Sequence, residues 1–151
     1  MGSEVRCVSA KHEHAFVMAF QMQPADAREL EGCGLAPLEG LLGAVAASTE
    51  AWAALYEDEV GAMFGVVRAE GPVLGRVDQL WLLTGHLFAQ KPIAFVRAAK
   101  RVLAVLLTHY PVLTNVIDAR HTCALRFAAK MGATFGSPVR VEPFGLPFIP
   151  F

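Results

Sequence analysis

Residues 80–94 read LWLLTGHLFAQKPIA: an apolar run, a short polar break, and a proline opening a long helical pattern. A strand that passes through a loop into a helix N-terminus can hold a phosphate, because free backbone N–H groups and the helix dipole converge on the loop. Lys91 would add a point charge there, although a lysine in the first turn of a helix is ordinarily just solvated. His12, Glu13 and His14 offer imidazole and carboxylate, both common metal ligands. On a helix, i and i+2 face apart, so the trio reads as surface chemistry with no metal. His86 in the loop and His121 ahead of the last helix could meet near a cleft as proton carriers. Cys123 stands two residues from His121, a helical spacing that separates a nucleophile from its base. Arg97, Lys100 and Arg101 share one stripe by i, i+3, i+4 spacing and read as the wet face of a helix.

These groups belong to a chain of 151 residues, long enough to bury a sizeable core without disulfides or metal, and we expect one domain over 1–151. A net charge of -1 with 18% charged residues supplies no global positive field, so there is no strong nucleic-acid signal. Hydrophobic residues make up 54%, which implies a tightly packed core or a surface that meets a partner. The most apolar helical segments are interrupted at Glu39, Glu50, Thr108, His109 and Pro111, so no membrane span is expected. The N-terminus lacks the cationic-then-apolar pattern of a secretory signal. Cys7, Cys33 and Cys123 are odd in number and lack CxxC spacing, which fits reduced, buried thiols in a cytosolic protein.

Positioning falls to an alternation of strands and helices. EVRCVSA (4–10) alternates as a strand, and HEHAFVMAFQM (12–22) has helical spacing that Pro24 breaks. PADARELEGCG (24–34) reads as a short helix with acidic residues early, and PLEGLLGAVAAS (37–48) as another with proline at its start. Residues 50–71 form a hairpin candidate around the acidic turn Glu57-Asp58-Glu59. A loop, EGPVLG (70–75), leads to the strand RVDQLWLL (76–83). A long helix follows over 92–110, then a strand VLTNVIDA (112–119), a helix 120–132 closed by Gly132, and a final pair of short strands. Pro147 and Pro150 place the last strand at an edge. The exposed alternative makes PFGLPFIPF an apolar patch for a partner.

This order, with LWLL…PIAFVRAAKRVLAVLL and VIDARHTCALRFAAKMGAT, resembles the Gcn5-related N-acetyltransferase (GNAT) superfamily over nearly the whole chain. More narrowly, DQLWLLTGHLFAQKPIAFVRAAKRVL followed by YPVLTNVIDARHTCALRFAAKMGATF is similar to the small internal virion proteins of short-tailed phages, an acetyltransferase-like family. The resemblance implies a single-domain α/β fold, with a mixed central sheet of about six or seven strands flanked by helices. It implies acetyl-CoA as the cofactor, held by a strand-to-helix motif Gln/Arg-x-x-Gly-x-Gly/Ala that here matches Ala89, Gln90, Lys91, Pro92, Ile93 and Ala94. Pro92 replaces the central glycine and removes an N–H donor. The tyrosine that often protonates the leaving thiolate aligns with Ala128, beside Phe127, and the asparagine that often opens the helix aligns with His121.

Those departures favour a phage protein with a degenerate coenzyme A site, associated with the virion or serving as a scaffold, in the host cytoplasm and the virion. Phage virion proteins or a second copy would be its partners. The alternative is an active N-acetyltransferase acting on an amine of a protein or small molecule. In that reading Asp78 or Glu59 is the base, and Gln90, Lys91, Ile93 and Ala94 hold coenzyme A. The thioester lies in a split between RVDQLWLL and VLTNVIDA, with backbone N–H groups at Leu83, Thr84 and Gly85 polarising its carbonyl.

Overall fold

Alternation near the N-terminus produces β1 (Val5–Ser9), and three helices follow before its partner arrives: α1 (His12–Gln21), α2 (Pro24–Gly32) and α3 (Pro37–Ala47). The computed structural model describes residues 4–68 and 77–151. β2 (Glu50–Tyr56) pairs antiparallel with β1 and, as a hairpin, with β3 (Glu59–Val67). The turn itself is Glu57 and Asp58, with φ of 50° and 65°, while Glu59 already belongs to the strand. Two positive φ values in a two-residue loop match the twist of the flanking strands. Asp58 is held from across β1 by Arg6 at 2.8 Å.

The loop expected over 70–75 and the strand start at Arg76 lie outside the described residues. β4 (Asp78–Thr84) runs antiparallel to β3, giving with the later strand Leu113–Thr114 a five-stranded sheet in chain order. Its two faces carry separate apolar layers because side chains alternate along each strand. Met63 and Leu83 face Met18 of α1 and Leu41 of α3. Ala62, Phe64 and Val66 face Phe95, Ala98 and Leu106 of α5 (Pro92–His109), which follows the short α4 (His86–Gln90). Gly61 is required where it stands, since a Cβ there would collide with the Phe95 ring.

The expected strand 112–119 is broken in two. β5 (Leu113–Thr114) pairs parallel with β4 through Asp78↔Leu113 and Gln79↔Thr114 alone, and β6 (Val116–Asp118) then leaves for a second, three-stranded sheet. Asn115 stands at the fork. Its Nδ2 donates to the Leu80 carbonyl at 2.9 Å, its Oδ1 accepts from the Val116 N–H at 2.8 Å, and its own carbonyl accepts from the Phe151 N–H at 3.0 Å. One short side chain thus ends one ladder and satisfies backbone groups on both branches. For this reason the described residues form eight strands in sheets of five and three, where one sheet of six or seven was expected.

After α6 (Thr122–Lys130) come β7 (Val139–Val141) and β8 (Leu146–Pro150), and β8 lies between β6 and β7, not at an edge. The two prolines are tolerated because the neighbours are short. The Pro147 carbonyl accepts from Ala119, one residue past the end of β6, and the Pro150 carbonyl from Gly136, before β7 begins. A residue's N and C=O point to the same side of a strand, so each missing N–H faces a gap beyond a neighbour's end. Phe148 is 1% exposed and lies at the centre of this sheet, so the C-terminal segment is core and not a free apolar tail.

Cys7 and Cys33 are half-buried, whereas Cys123, second residue of α6, is exposed, against the expectation of three buried thiols. No single helix among the described residues is long and apolar enough to cross a membrane. Truncating Phe148 to Ala should cost about 3–5 kcal/mol, while Phe144→Ala at an exposed site should change stability by less than about 0.5 kcal/mol, both read by urea unfolding. Asn115→Leu should cost about 1–3 kcal/mol, because it strands the Leu80 carbonyl and the Val116 N–H.

Candidate functional site

Where β4 and β6 diverge, a cavity of about 520 Å³ passes between them, from the α5 and α6 side to the α2 side. On the α5 and α6 side its wall is apolar, with Leu82, Phe88, Val102, Leu106 and Phe127 among the lining residues. Phe88 meets Phe127 edge-on at 5.8 Å, which ties α4 to α6 across the opening. The strand edge facing the opening is set by alternation. The Asp78 N–H bonds Val112 toward β5, so the backbones of Leu80, Leu82 and Thr84 also face that way. Leu80 is taken by Asn115 and Thr84 by Asp26, which leaves the Leu82 N–H and C=O presented to the cavity.

The opposite side is polar and acidic. Asp26 and Glu29 sit one helical turn apart on α2, hence on one face. Asp26 is buried, and its Oδ2 accepts the Thr84 N–H at 2.7 Å and also bonds the Thr84 hydroxyl. Gln23 secures the same threonine, with its Nε2 on Thr84 Oγ1 at 2.7 Å. The other oxygen of Asp26 meets His121 Nε2 at 2.6 Å. His121 is the N-cap of α6, and its Nδ1 accepts from the Ala124 N–H at 3.3 Å. Those two bonds assign the proton to Nε2, so adding a second proton would cost the cap. Asp26 nevertheless raises the His121 pKa through that hydrogen bond, against the opposing effect of burial.

Glu29 is the carboxyl on this side whose pKa is raised. Burial pushes its pKa from 4.5 up to about 7, helped by the negative charges of Asp26 and Asp118; His121 in its protonated form and a 3.3 Å bond from the Asp118 N–H oppose the rise. Asp118, at the end of β6, takes the other course. Its carboxylate is gripped by Arg120 through Nε at 3.1 Å and Nη2 at 2.7 Å, which holds its pKa below the usual range. A carboxyl that titrates near neutral pH can take a proton from a reacting group and return it to water.

The residues singled out from sequence fall in several places. Asp78 is buried at the closed end of the fork opposite Leu113, six residues down β4 from Thr84 and so roughly 20 Å from the acidic cluster. Glu59 is exposed at the start of β3, opposite Tyr56. Neither joins Glu29. The N–H groups expected to polarise a carbonyl are engaged within the protein: Leu83 faces Met63 of β3, Thr84 donates to Asp26, and Gly85 donates to Gly61 at 2.9 Å. Ala128 lines the cavity. His86 is exposed at the start of α4, while His121 belongs to the acidic cluster. His14 accepts the Lys11 N–H at 3.0 Å, so the His12-Glu13-His14 stretch caps α1.

No protein-family model matches the sequence, and no curated protein matches it by sequence. Solved structures do match by shape. The aminoglycoside N(6')-acetyltransferase of Legionella pneumophila superposes with TM-score 0.74 at 14% identity, over 99% of this chain and 91% of that one. A GCN5-related N-acetyltransferase of Brucella melitensis gives 0.72 at 15%, over 100% and 76%. AAC(6')-Ib in complex with ribostamycin and coenzyme A gives 0.68 at 13%, over 97% and 92%. This is the GNAT fold.

AAC(6')-Ib holds coenzyme A, and the residues present here would fit one part of that group better than the other. The pantetheine arm has an apolar channel and a strand edge with a presented N–H and C=O at Leu82. The diphosphate has less. Gln90 ends α4, the Lys91 N–H bonds the Leu87 carbonyl at 2.9 Å, Pro92 has no N–H, and the Phe95 N–H bonds the Lys91 carbonyl at 3.2 Å. Ile93 and Ala94 keep free first-turn N–H groups. Sequence reading missed Asp26, Glu29 and Leu82, because DARE in a short helix looks like any acidic first turn. Its i, i+3 acidic pair was the available signal.

Glu29→Gln separates a strained acid from an ordinary one. The folded state holds the Glu29 proton more tightly than the unfolded chain, so its contribution is most favourable below pH 4.5 and is lost as pH rises through about 7. Relative to the native chain, Glu29→Gln should therefore gain stability with rising pH, by up to about 3 kcal/mol at pH 8 and little at pH 4.5, measured by thermal unfolding across that range.

Proposed function

We propose that the protein is an N-acyltransferase that moves an acyl group from a pantetheine thioester to an amine. The observation that carries this is the open fork with unlike sides. An apolar channel along β4 reaches Glu29, a carboxyl that titrates at about 7, between Asp26 and Asp118. The donor supplies an acyl carbon already activated as a thioester. Leu82 positions it along the strand edge, and the apolar wall excludes water from it. The acceptor approaches from α2, where the carboxylates favour a positively charged amine.

Glu29 takes one proton from the ammonium, which frees the nitrogen lone pair. The nitrogen bonds the acyl carbon, the C–S bond breaks, and the second nitrogen proton ends on the sulfur through solvent, since Ala128 offers no hydroxyl. His121 is a positioning residue, linking α6 to Asp26 and thereby to Thr84. The virion-associated reading drew in part on an exposed C-terminal patch, and Phe148 instead fills the centre of the second sheet. The fork supports the transferase reading in preference.

With an acetyl thioester and a panel of polyamines, kcat/KM should rise with pH along a limb centred near 7. Glu29→Gln should remove that limb and lower kcat by about 10²–10⁴-fold, with the donor KM changed little. An unaltered profile in Glu29→Gln overturns the assignment of the base.

A further inference from the structure

A cofactor of two parts meets a site built for one of them. Resting on the transferase reading, we propose that the donor is recognised through its pantetheine arm and not through a nucleotide, so that the nucleotide end of coenzyme A adds no appreciable affinity.

Three features of the described residues carry this. First, the helix start that should cradle a diphosphate has two consecutive free N–H groups, at Ile93 and Ala94, because Pro92 has none and the neighbouring amides bond Leu87 and Lys91. Ile93 is 74% exposed, so water competes at that point. Second, the cation that stands at the helix start, Lys91, is directed elsewhere. The Lys91 ammonium lies over the Tyr56 ring at 5.7 Å. Arg101, more than two turns further along α5, acts on Cys7 of β1. Third, the fork itself is complete. A mostly apolar cavity of about 520 Å³ passes through it and runs on beneath α5 as far as Cys7 of β1, within the range of pockets that bury a small ligand. The fork also offers one strand edge whose donor and acceptor at Leu82 suit the amides of pantetheine.

The same chemistry is carried by two natural sources, free pantetheine thioesters such as acyl-CoA and the phosphopantetheine arm of an acyl carrier protein. Both present the arm, and they differ in the group attached to its far end. Titration calorimetry on the full chain with coenzyme A, with pantetheine, and with a phosphopantetheine-bearing acyl carrier protein separates them. Dissociation constants for coenzyme A and pantetheine within tenfold of each other support the proposal, and tighter binding of the carrier protein than of both supports it with that source. A preference of tenfold or more for coenzyme A over pantetheine overturns the proposal and leaves the transferase reading standing. Absence of binding by all three overturns both. Pro92→Gly, which returns an N–H to the helix start, should tighten coenzyme A by about tenfold and leave pantetheine unchanged; an equal effect on both also overturns the proposal.

Discussion

The candidate site in this chain depends on the sheet coming apart at Asn115. A parallel pair has no intrinsic reason to stop after two residue pairs, and an unpaired strand edge inside a protein is costly. Asn115 removes most of that cost at the point where it is greatest. Its amide bonds the Leu80 carbonyl on one branch and the Val116 N–H on the other. β6 is then free to join β8, and the Phe151 N–H just beyond β8 returns to the Asn115 carbonyl. What remains open is a single strand edge at Leu82, with an apolar channel on one side and a helix bearing carboxylates on the other.

That acidic helix shows how a fold distributes electrostatic strain unevenly. Three carboxyls sit together, and two are well satisfied: Asp26 by Thr84 and His121, Asp118 by Arg120. Glu29 receives one long backbone bond, and its two neighbours are charges of its own sign. Buried carboxylates without matched partners take up protons. Burial therefore carries the third group toward neutrality, and the charges beside it add to the rise. Its neighbours also fix its place, since Asp26 locks α2 to the end of β4 and His121 locks α6 to Asp26.

How much of this could be read in the sequence depends on how local each signal is. The β2–β3 hairpin, the long α5 and the helix start at Pro92 are set by residues within a turn or two, and each stands where periodicity and proline placement put it. Pro92 as a poor anion donor is equally local. The break in 112–119 was hidden, because Thr-Asn-Val looks continuous until one knows that Leu80 and Phe151 are the partners of the asparagine. Pro147 and Pro150 suggested an edge strand, yet the short lengths of β6 and β7 decide the matter. The acidic site depended on separations of 58 and 95 residues, from Asp26 to Thr84 and to His121, which no spacing rule reaches. Asp78 and Glu59 were candidates because they flank strands; burial at the closed end of the fork and exposure beside the hairpin turn put them elsewhere.

The central claim is that the strand edge at Leu82 receives the donor arm while Glu29 faces it from α2. A crystal structure of the protein grown with a non-hydrolysable S-alkyl pantetheine tests this directly. The account predicts the arm lying along β4, with one of its amides bonded to the Leu82 N–H or C=O and its sulfur on the Glu29 side of the fork. An arm bound elsewhere, or a fork closed by β6 pairing onto Leu82, would contradict it.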